Sequence, residues 1–342
     1  MDGFSALQQL VPELAELLER RYSLLRIIRN QGPIGRRFIA GQLGISERII
    51  RGELDVLREQ GLLRTSSLGM ELTPEGEQVF VELQSVVRDA YALEQLENRL
   101  APVLGVKKLI VVPGDCDKDP ATKRDLARTA AEYLCEVLRD GQIVAVSGGT
   151  TLASMAEYVK LQGIKRKVTV VPVRGGLGED IKIQSNSIAV ALAEGLGGTY
   201  RLLHAPEDVR PCNLEQILSE PSIRSVIALG RRADILLHGI GTAEEMARRR
   251  GFDDASIMDL IASGAVGETF GCYFDAEGRI VRNTASVGLR LEDLERIPLV
   301  IAVGGGRSKA WAVMAVLSRG YCDVCITDEG VARRLMSLKE IE

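Results

Sequence analysis

From about residue 105 to residue 342, short apolar runs of strand length alternate with helix-length segments. Seven runs stand out: Lys108–Pro113, Ile143–Val146, Val168–Val173, Tyr200–His204, Asp234–His238, Leu299–Val303 and Cys322–Thr327. Between most of them lie segments long enough for helices, such as Pro120–Arg139, Ser185–Glu194, Ala243–Arg250 and Ser308–Leu317. Alternation of this kind predicts an α/β body: a parallel sheet covered by helices on both faces. Ligands of such sheets bind at the carboxyl ends of the strands. The loop after each run is therefore where function is expected.

Four of those loops carry glycines. Gln142–Val146 runs into Ser147–Gly148–Gly149–Thr150–Thr151, where two hydroxyl side chains open a helix. A helix start has unpaired N–H groups and the positive end of the dipole, so it holds anions well. A plain turn with Thr as helix cap explains this stretch equally well when it is taken alone. However, Val168–Val173 is followed by Arg174–Gly175–Gly176–Leu177–Gly178–Glu179–Asp180. Asp234–His238 is followed by Gly239–Ile240–Gly241, with Arg248–Arg249–Arg250 ending the next helix. Leu299–Val303 is followed by Gly304–Gly305–Gly306–Arg307–Ser308–Lys309. Four glycine turns on one expected rim, with cations among them, point to a pocket for a phosphorylated molecule.

The first 73 residues have a different character. Leu14, Leu17, Leu18, Leu25 and Ile28 mark an amphipathic helix after Pro12 that ends near Gly32. A short helix over 35–43 follows, then the tight turn Gly44–Ile45–Ser46, with Ser46 as N-cap of a third helix running to Gln60. Two helices joined by a three-residue, glycine-containing turn form a helix-turn-helix. Leu62–Thr65 and Met70–Leu72, around Ser66–Gly69, read as the hairpin of a wing. Residues 20–72 hold ten Arg, no Lys and five acids, a local balance of +5 inside a chain of net charge −4. The residues expected to face DNA are Arg36, Arg37, Ser46, Arg48 and Arg51. Arginine can reach guanine edges in the major groove or neutralise phosphates. A protein-interaction module could show the same helices, but not for any evident reason the tight turn, outward arginines and wing together.

Thr73–Pro74–Glu75 starts a linking helix, expected over 74–104. Val79, Leu83, Val86, Ala90 and Leu93 make a 4-3-4-3 stripe, either a short seam between protomers or a face packed on the protein itself. Other chemistries fit less well. Gly239–Ile240–Gly241 begins like a dinucleotide fingerprint, but its sixth position is Glu244. Cys322 and Cys325 have redox spacing in an apolar run and are expected to be buried and inert. His204 and His238, the only histidines, give no zinc cluster or Ser–His pair and are expected to be structural. The apolar runs are too short for a membrane span and no secretory signal pattern is present, so a cytoplasmic protein without metal or cofactor is expected.

Several segments combine here: Pro33–Ile34–Gly35–Arg36–Arg37, Leu43–Gly44–Ile45–Ser46–Glu47–Arg48, Ser147–Thr151, Arg174–Asp180, His238–Gly241 and Thr327–Asp328–Glu329–Gly330. With them, nearly the whole chain resembles the SorC/DeoR-type bacterial sugar-responsive regulators, and among these the branch that governs glycolytic genes. The resemblance implies a winged helix-turn-helix domain over 1–73, a linker helix over 74–104, and an effector-binding and oligomerising domain over 105–342. That body would be like the sugar-phosphate isomerases and glucosamine-phosphate deaminase. The implied function is a transcriptional repressor of glycolytic genes, dimeric or tetrameric, bound to operator DNA and released or remodelled by fructose-1,6-bisphosphate. One phosphate would sit on Gly149, Thr150 and Thr151, and the other on Arg174, Arg249 and Lys309, with Gln184 and Glu268 on sugar hydroxyls. Arg248 and Arg250 flank Arg249, and a shift of one residue would change that choice. The alternative is a sugar-phosphate isomerase or deaminase using Glu179, Asp180 or Glu268 as acid and base. An enzyme has no need of an arginine-rich helix-turn-helix, so no catalytic residue is expected.

Overall fold

The computed structural model describes residues 10–90, 93–176, 180–206 and 209–339. The chain divides into two units, Met1–Gln95 with Asp119–Ala121, and Leu96–Lys118 with Thr122–Glu342. In the first, α1 (Pro12–Gln31), α2 (Arg36–Leu43) and α3 (Glu47–Glu59) follow the expected order. Ile50, Leu54 and Leu57 of α3 recur at helical spacing and pack with Ile39 of α2 and Leu24, Leu25, Ile27 and Ile28 of α1. Leu14, nearly three turns ahead of that packed segment, stays exposed. Gly44 closes α2 at φ 64, a left-handed conformation that costs glycine little. Ser46 occupies the N-cap of α3, but its hydroxyl makes no cap bond.

The wing is a two-stranded ribbon of β1 (Leu63–Ser66) and β2 (Gly69–Leu72), with Arg64 opposite Glu71. Those side chains lie 3.0 Å apart, and Leu68 projects from the tip. Next, α4 (Pro74–Ala90) starts on Thr73, whose Oγ1 accepts the Gly76 N–H at 3.0 Å. The expected linker helix is two helices, α4 and α5 (Leu93–Leu104), and residues 91 and 92 between them lie outside the described residues. The apolar stripe is also wider than the heptad spacing predicts. Phe80 and Val87 are buried in the head's own core, with Val79 and Leu83 against it, while Val86 is exposed. The Phe80 ring stacks on Tyr22 at 4.9 Å, and the Arg29 guanidinium lies 4.9 Å from its centroid. Truncating Phe80 leaves a cavity among these groups. Phe80→Ala should cost about 3–5 kcal/mol in a denaturant melt of the head transition, and a loss under about 1 kcal/mol would contradict this packing.

The second unit is built on a seven-stranded sheet of β3 (Lys108–Val112), β4 (Ile143–Val146), β5 (Thr169–Pro172), β6 (Thr199–Tyr200), β7 (Ile235–Gly239), β12 (Leu299–Val303) and β13 (Val324–Asp328). Its order is β3-β13-β12-β7-β4-β5-β6, and every pairing is parallel. The α-helices after β3 begin with α6 (Pro120–Val137), α7 (Thr150–Leu161), α8 (Ser185–Leu196), α9 (Pro211–Ser219), α10 (Pro221–Gly230) and α11 (Ala243–Arg249). Each of the seven expected runs supplies one strand, although Tyr200–His204 contributes only its first residue to β6. From β4 the chain builds outward through β5 to β6; from β7 it builds the other way through β12 and β13. Adjacent strands β4 and β7 therefore flank the topological switch point, where loops diverge and leave a crevice.

A four-stranded antiparallel sheet, order β11-β10-β9-β8, was not expected. Its strands are β8 (Gly241–Thr242), β9 (Gly267–Thr269), β10 (Cys272–Phe274) and β11 (Ile280–Asn283), too short to show a period of two in sequence. Both cysteines of the Cys322–Cys325 pair are buried, and burial pushes the Cys325 thiol up to about 12. His204 is exposed, whereas His238 is buried on β7. Its Nδ1 lies 3.1 Å from Thr269 Oγ1 and its Nε2 3.1 Å from Cys322 Sγ. Desolvation lowers the His238 pKa to about 4. The unfolded chain thus takes up a proton before the folded one does, so the His238 contribution is complete above about pH 6.5 and declines as the pH falls towards about 4. Unfolding free energy should drop by a few kcal/mol over that window, and His238→Gln should flatten that part of the profile.

Candidate functional site

At the switch point β4 ends and the chain turns through Ser147–Gly148–Gly149 into α7 (Thr150–Leu161). Ser147 Oγ accepts the Gly239 N–H at 3.2 Å, which ties this turn to the end of β7. Gly149 sits at φ 134, open in practice only to glycine, and its N–H donates to the Ile183 carbonyl at 2.8 Å. The start of α7 has no side-chain cap, so its first-turn N–H groups and the Thr150 and Thr151 hydroxyls form a donor-rich end. Lys123 adds a cation, its Nζ donating to Thr150 Oγ1 at 2.9 Å.

The opposite wall comes from β9 and from α11 (Ala243–Arg249). Glu268 on β9 is buried between two guanidiniums, 3.0 Å from Arg250 Nη2 and 3.8 Å from Arg174 Nη1. Its Oε1 also accepts the Gly271 N–H at 2.5 Å. Buried arginines are held most cheaply by a carboxylate that is itself fully hydrogen-bonded. The β9–β10 turn supplying that N–H is Phe270–Gly271, both at positive φ (52 and 77), which is hairpin geometry suited to the sheet twist.

Lys309 arrives on the loop after β12. Asp328 Oδ2 accepts the Gly306 and Cys116 N–H groups at 2.7 Å each, and Asp117 accepts from the Ser308 N–H at 2.7 Å. The loop is therefore fixed by carboxylates behind it, while Lys309 faces the crevice. Lys309 Nζ lies 3.6 Å from Glu245, which also pairs with Arg249 at 3.1 Å.

These elements enclose a cavity of about 310 Å³. Gly149, Thr150, Thr151, Arg174, Gln184, Arg249, Glu268 and Lys309 all line it, so the structure gathers every residue picked for the effector in one place. Of the arginine run, Arg249 and Arg250 both line the cavity, and Arg248 instead pairs with Glu244 and Asp254. Sequence reasoning missed Ser185, Glu245 and Phe270 in the lining and Lys123 behind Thr150, whereas Asp180 was considered only as an acid or base and Arg250 only as the neighbour of Arg249.

Of the carboxylates considered for acid–base chemistry, Glu179 lies outside the described residues. Asp180 caps a short 3₁₀ turn by accepting the Lys182 N–H at 3.1 Å, and Glu268 is committed to Arg250 and Gly271. Among the described residues no His, Cys, Asp or Glu cluster has a metal-site arrangement, and no helix is long and apolar enough to cross a membrane.

In the head, Arg36, Arg37, Ser46, Arg48 and Arg51 are all exposed on α2, the turn and α3. Arg36 and Arg37 lie 3.0 and 3.6 Å from Glu47. Arg48 and Arg51 make no ion pair among the described residues.

The chain matches the family of the CggR N-terminal DNA binding domain over residues 17–87 and the sugar-binding domain family over residues 89–337. It is 40% identical over 331 residues to the central glycolytic genes regulator of Bacillus subtilis, covering 97% of each. A SorC family transcriptional regulator from Enterococcus faecalis is 37% identical, with 71% of this chain and 99% of that one covered at a TM-score of 0.64. The full-length sorbitol operon regulator SorC from Klebsiella pneumoniae shares the fold at a TM-score of 0.68, over 93% of this chain and 98% of its own, with 19% identity. These relatives regulate transcription and are not isomerases or deaminases. A DNA-binding head and a sugar-binding body on one chain place this protein in the SorC-type family of sugar-responsive transcriptional regulators.

Proposed function

We infer that this chain represses genes of central glycolysis and lets go of, or remodels on, its operator when fructose-1,6-bisphosphate fills the cavity. The observation that supports the ligand class is that the cavity's lining holds two separate groups of donors suited to anions. One combines an uncapped helix start with Thr150, Thr151 and Lys123; the other has Lys309 and Arg249. A single phosphate would leave one group unused. The polar groups of Gln184 and Glu268 in the same lining suit sugar hydroxyls. The target genes are taken from the name of the Bacillus subtilis relative. Residues 1–73 would read DNA, 74–104 would link, and 105–342 would bind effector and assemble as a dimer or tetramer in the cytoplasm. Pairing suits a helix-turn-helix protein because two heads read two half-sites. Since α4 shares its core with the head, a shift of that helix would move the reader directly.

Thr151→Ala or Lys309→Ala should weaken bisphosphate binding by about tenfold or more. In a gel shift, these variants should keep the operator bound at bisphosphate concentrations that release the unmodified chain. Release at the unmodified concentration would remove the cavity from the effector's path. For the reader, Arg48→Ala or Arg51→Ala should cost about 1–3 kcal/mol of operator affinity if the side chain grips a base bidentately. A phosphate contact would instead lower the salt slope by about one for each arginine. Sequence-specific binding retained after loss of both would refute α3 as the recognition helix.

A further inference from the structure

Two of the carboxylates lining the cavity form ion pairs with its cations, and they are held very differently. Glu268 is only 5% exposed at its side chain and is bonded to Arg250 and to a backbone N–H. Glu245, Arg249 and Lys309 are 40, 32 and 24% exposed, and Glu245 reaches the other two with separate oxygens. Oε1 lies 3.1 Å from Arg249 Nη2 and Oε2 lies 3.6 Å from Lys309 Nζ. Among the described residues neither cation has another ion-pair partner.

An ordinary pairing of Glu245 with Arg249 one turn along α11 would explain one of these contacts. It does not explain Lys309, which comes from the loop after β12. Nor does helix capping explain the geometry. Thr242 caps α11 by accepting the Glu245 N–H at 3.3 Å. A glutamate at this position commonly folds back on the cap's own N–H, but this side chain is turned to the two cations of the cavity.

We propose that Glu245 is an internal competitor for the second phosphate: its carboxylate occupies Lys309 and Arg249 until an anion of the ligand displaces it. The proposal rests on the cavity as the bisphosphate site. Partly exposed pairs of this kind are weak and breakable, whereas the Glu268 pairs are buried. The cavity thus has one fixed counter-ion and one movable one. A phosphate tethered to a partner already seated at Thr150 and Thr151 arrives at an effective concentration of order millimolar or above, and carries more charge than a carboxylate. It clears the threshold that Glu245 sets. Free phosphate in solution has no such tether and is kept out, so Glu245 keeps solitary anions from populating the cationic end.

The test uses the full chain and its Glu245→Gln and Glu245→Ala variants, titrated calorimetrically with fructose-1,6-bisphosphate and with fructose-6-phosphate in phosphate-free buffer. Glutamine keeps the size of the side chain and the capped backbone of α11. Both variants should bind the bisphosphate tighter by about threefold to tenfold. Fructose-6-phosphate, seated at the hydroxyl end, should change by less than about twofold, within the spread expected for a distant site. Inorganic phosphate should become a measurable competitor of the bisphosphate in the variants alone. If Lys309→Ala abolishes bisphosphate binding while both Glu245 variants bind it equally or more weakly, the competitor role is wrong and the site stands. If the unmodified chain takes up no bisphosphate, or Lys309→Ala binds it normally, the site assignment and the competitor role fall together.

Discussion

Everything in the effector-binding unit follows from two neighbouring strands whose chains depart in opposite directions. β4 and β7 pair in parallel, Val146 beside Leu237, and then one chain builds towards β6 and the other towards β13. Backbone that diverges cannot close over the sheet edge, so a crevice must remain there. The turn after β4 has to pass under whatever fills that crevice, which explains Gly149 at φ 134 and an α7 start without a side-chain cap. The loops after β5, β7 and β12 arrive at the same rim because all their strands run the same way.

Charge is then the second constraint. The cavity gathers Arg174, Arg249, Arg250 and Lys309 in its lining, with Lys123 behind it on Thr150, and their desolvation has to be offset before any ligand arrives. The structure offsets it with carboxylates of two kinds, buried Glu268 for the deep arginines and half-exposed Glu245 for the two at the mouth. A third set, Asp117 and Asp328, never faces the cavity cations but holds the Lys309 loop by its backbone N–H groups. The division follows burial: where water is excluded the counter-ion is permanent, and where water remains it can be exchanged.

Much of this was legible in the sequence, for definite reasons. Parallel strands are apolar throughout, so all seven runs could be read directly. Glycine turns announce themselves, and Gly44–Ser46 together with Ile50, Leu54 and Leu57 fixed the helix-turn-helix. The second sheet could not be read. Its strands span two to four residues, and its hairpin turns on Phe270–Gly271, where the usual signal is Asn-Gly or Asp-Gly. Lys123 and Glu245 were missed because each sits inside an ordinary amphipathic helix, and only the tertiary fold brings Lys123 to Thr150 or Glu245 to Lys309. The stripe on α4 was read too narrowly. Phe80 and Val87 join Val79 and Leu83 on the inward side while Val86 faces out, because the head core requires a broader apolar face than a two-helix seam.

On the proposed function, the cavity and the operator surface are coupled, each favouring a different state of the same protein. Coupling of this kind is reciprocal. The direct measurement is the affinity of the full chain for fructose-1,6-bisphosphate, by calorimetry, with and without saturating operator DNA. Binding should be weaker on DNA, by the same factor by which the bisphosphate weakens operator binding, about 5- to 150-fold for ordinary coupling energies. Equal bisphosphate affinity in both conditions would contradict it.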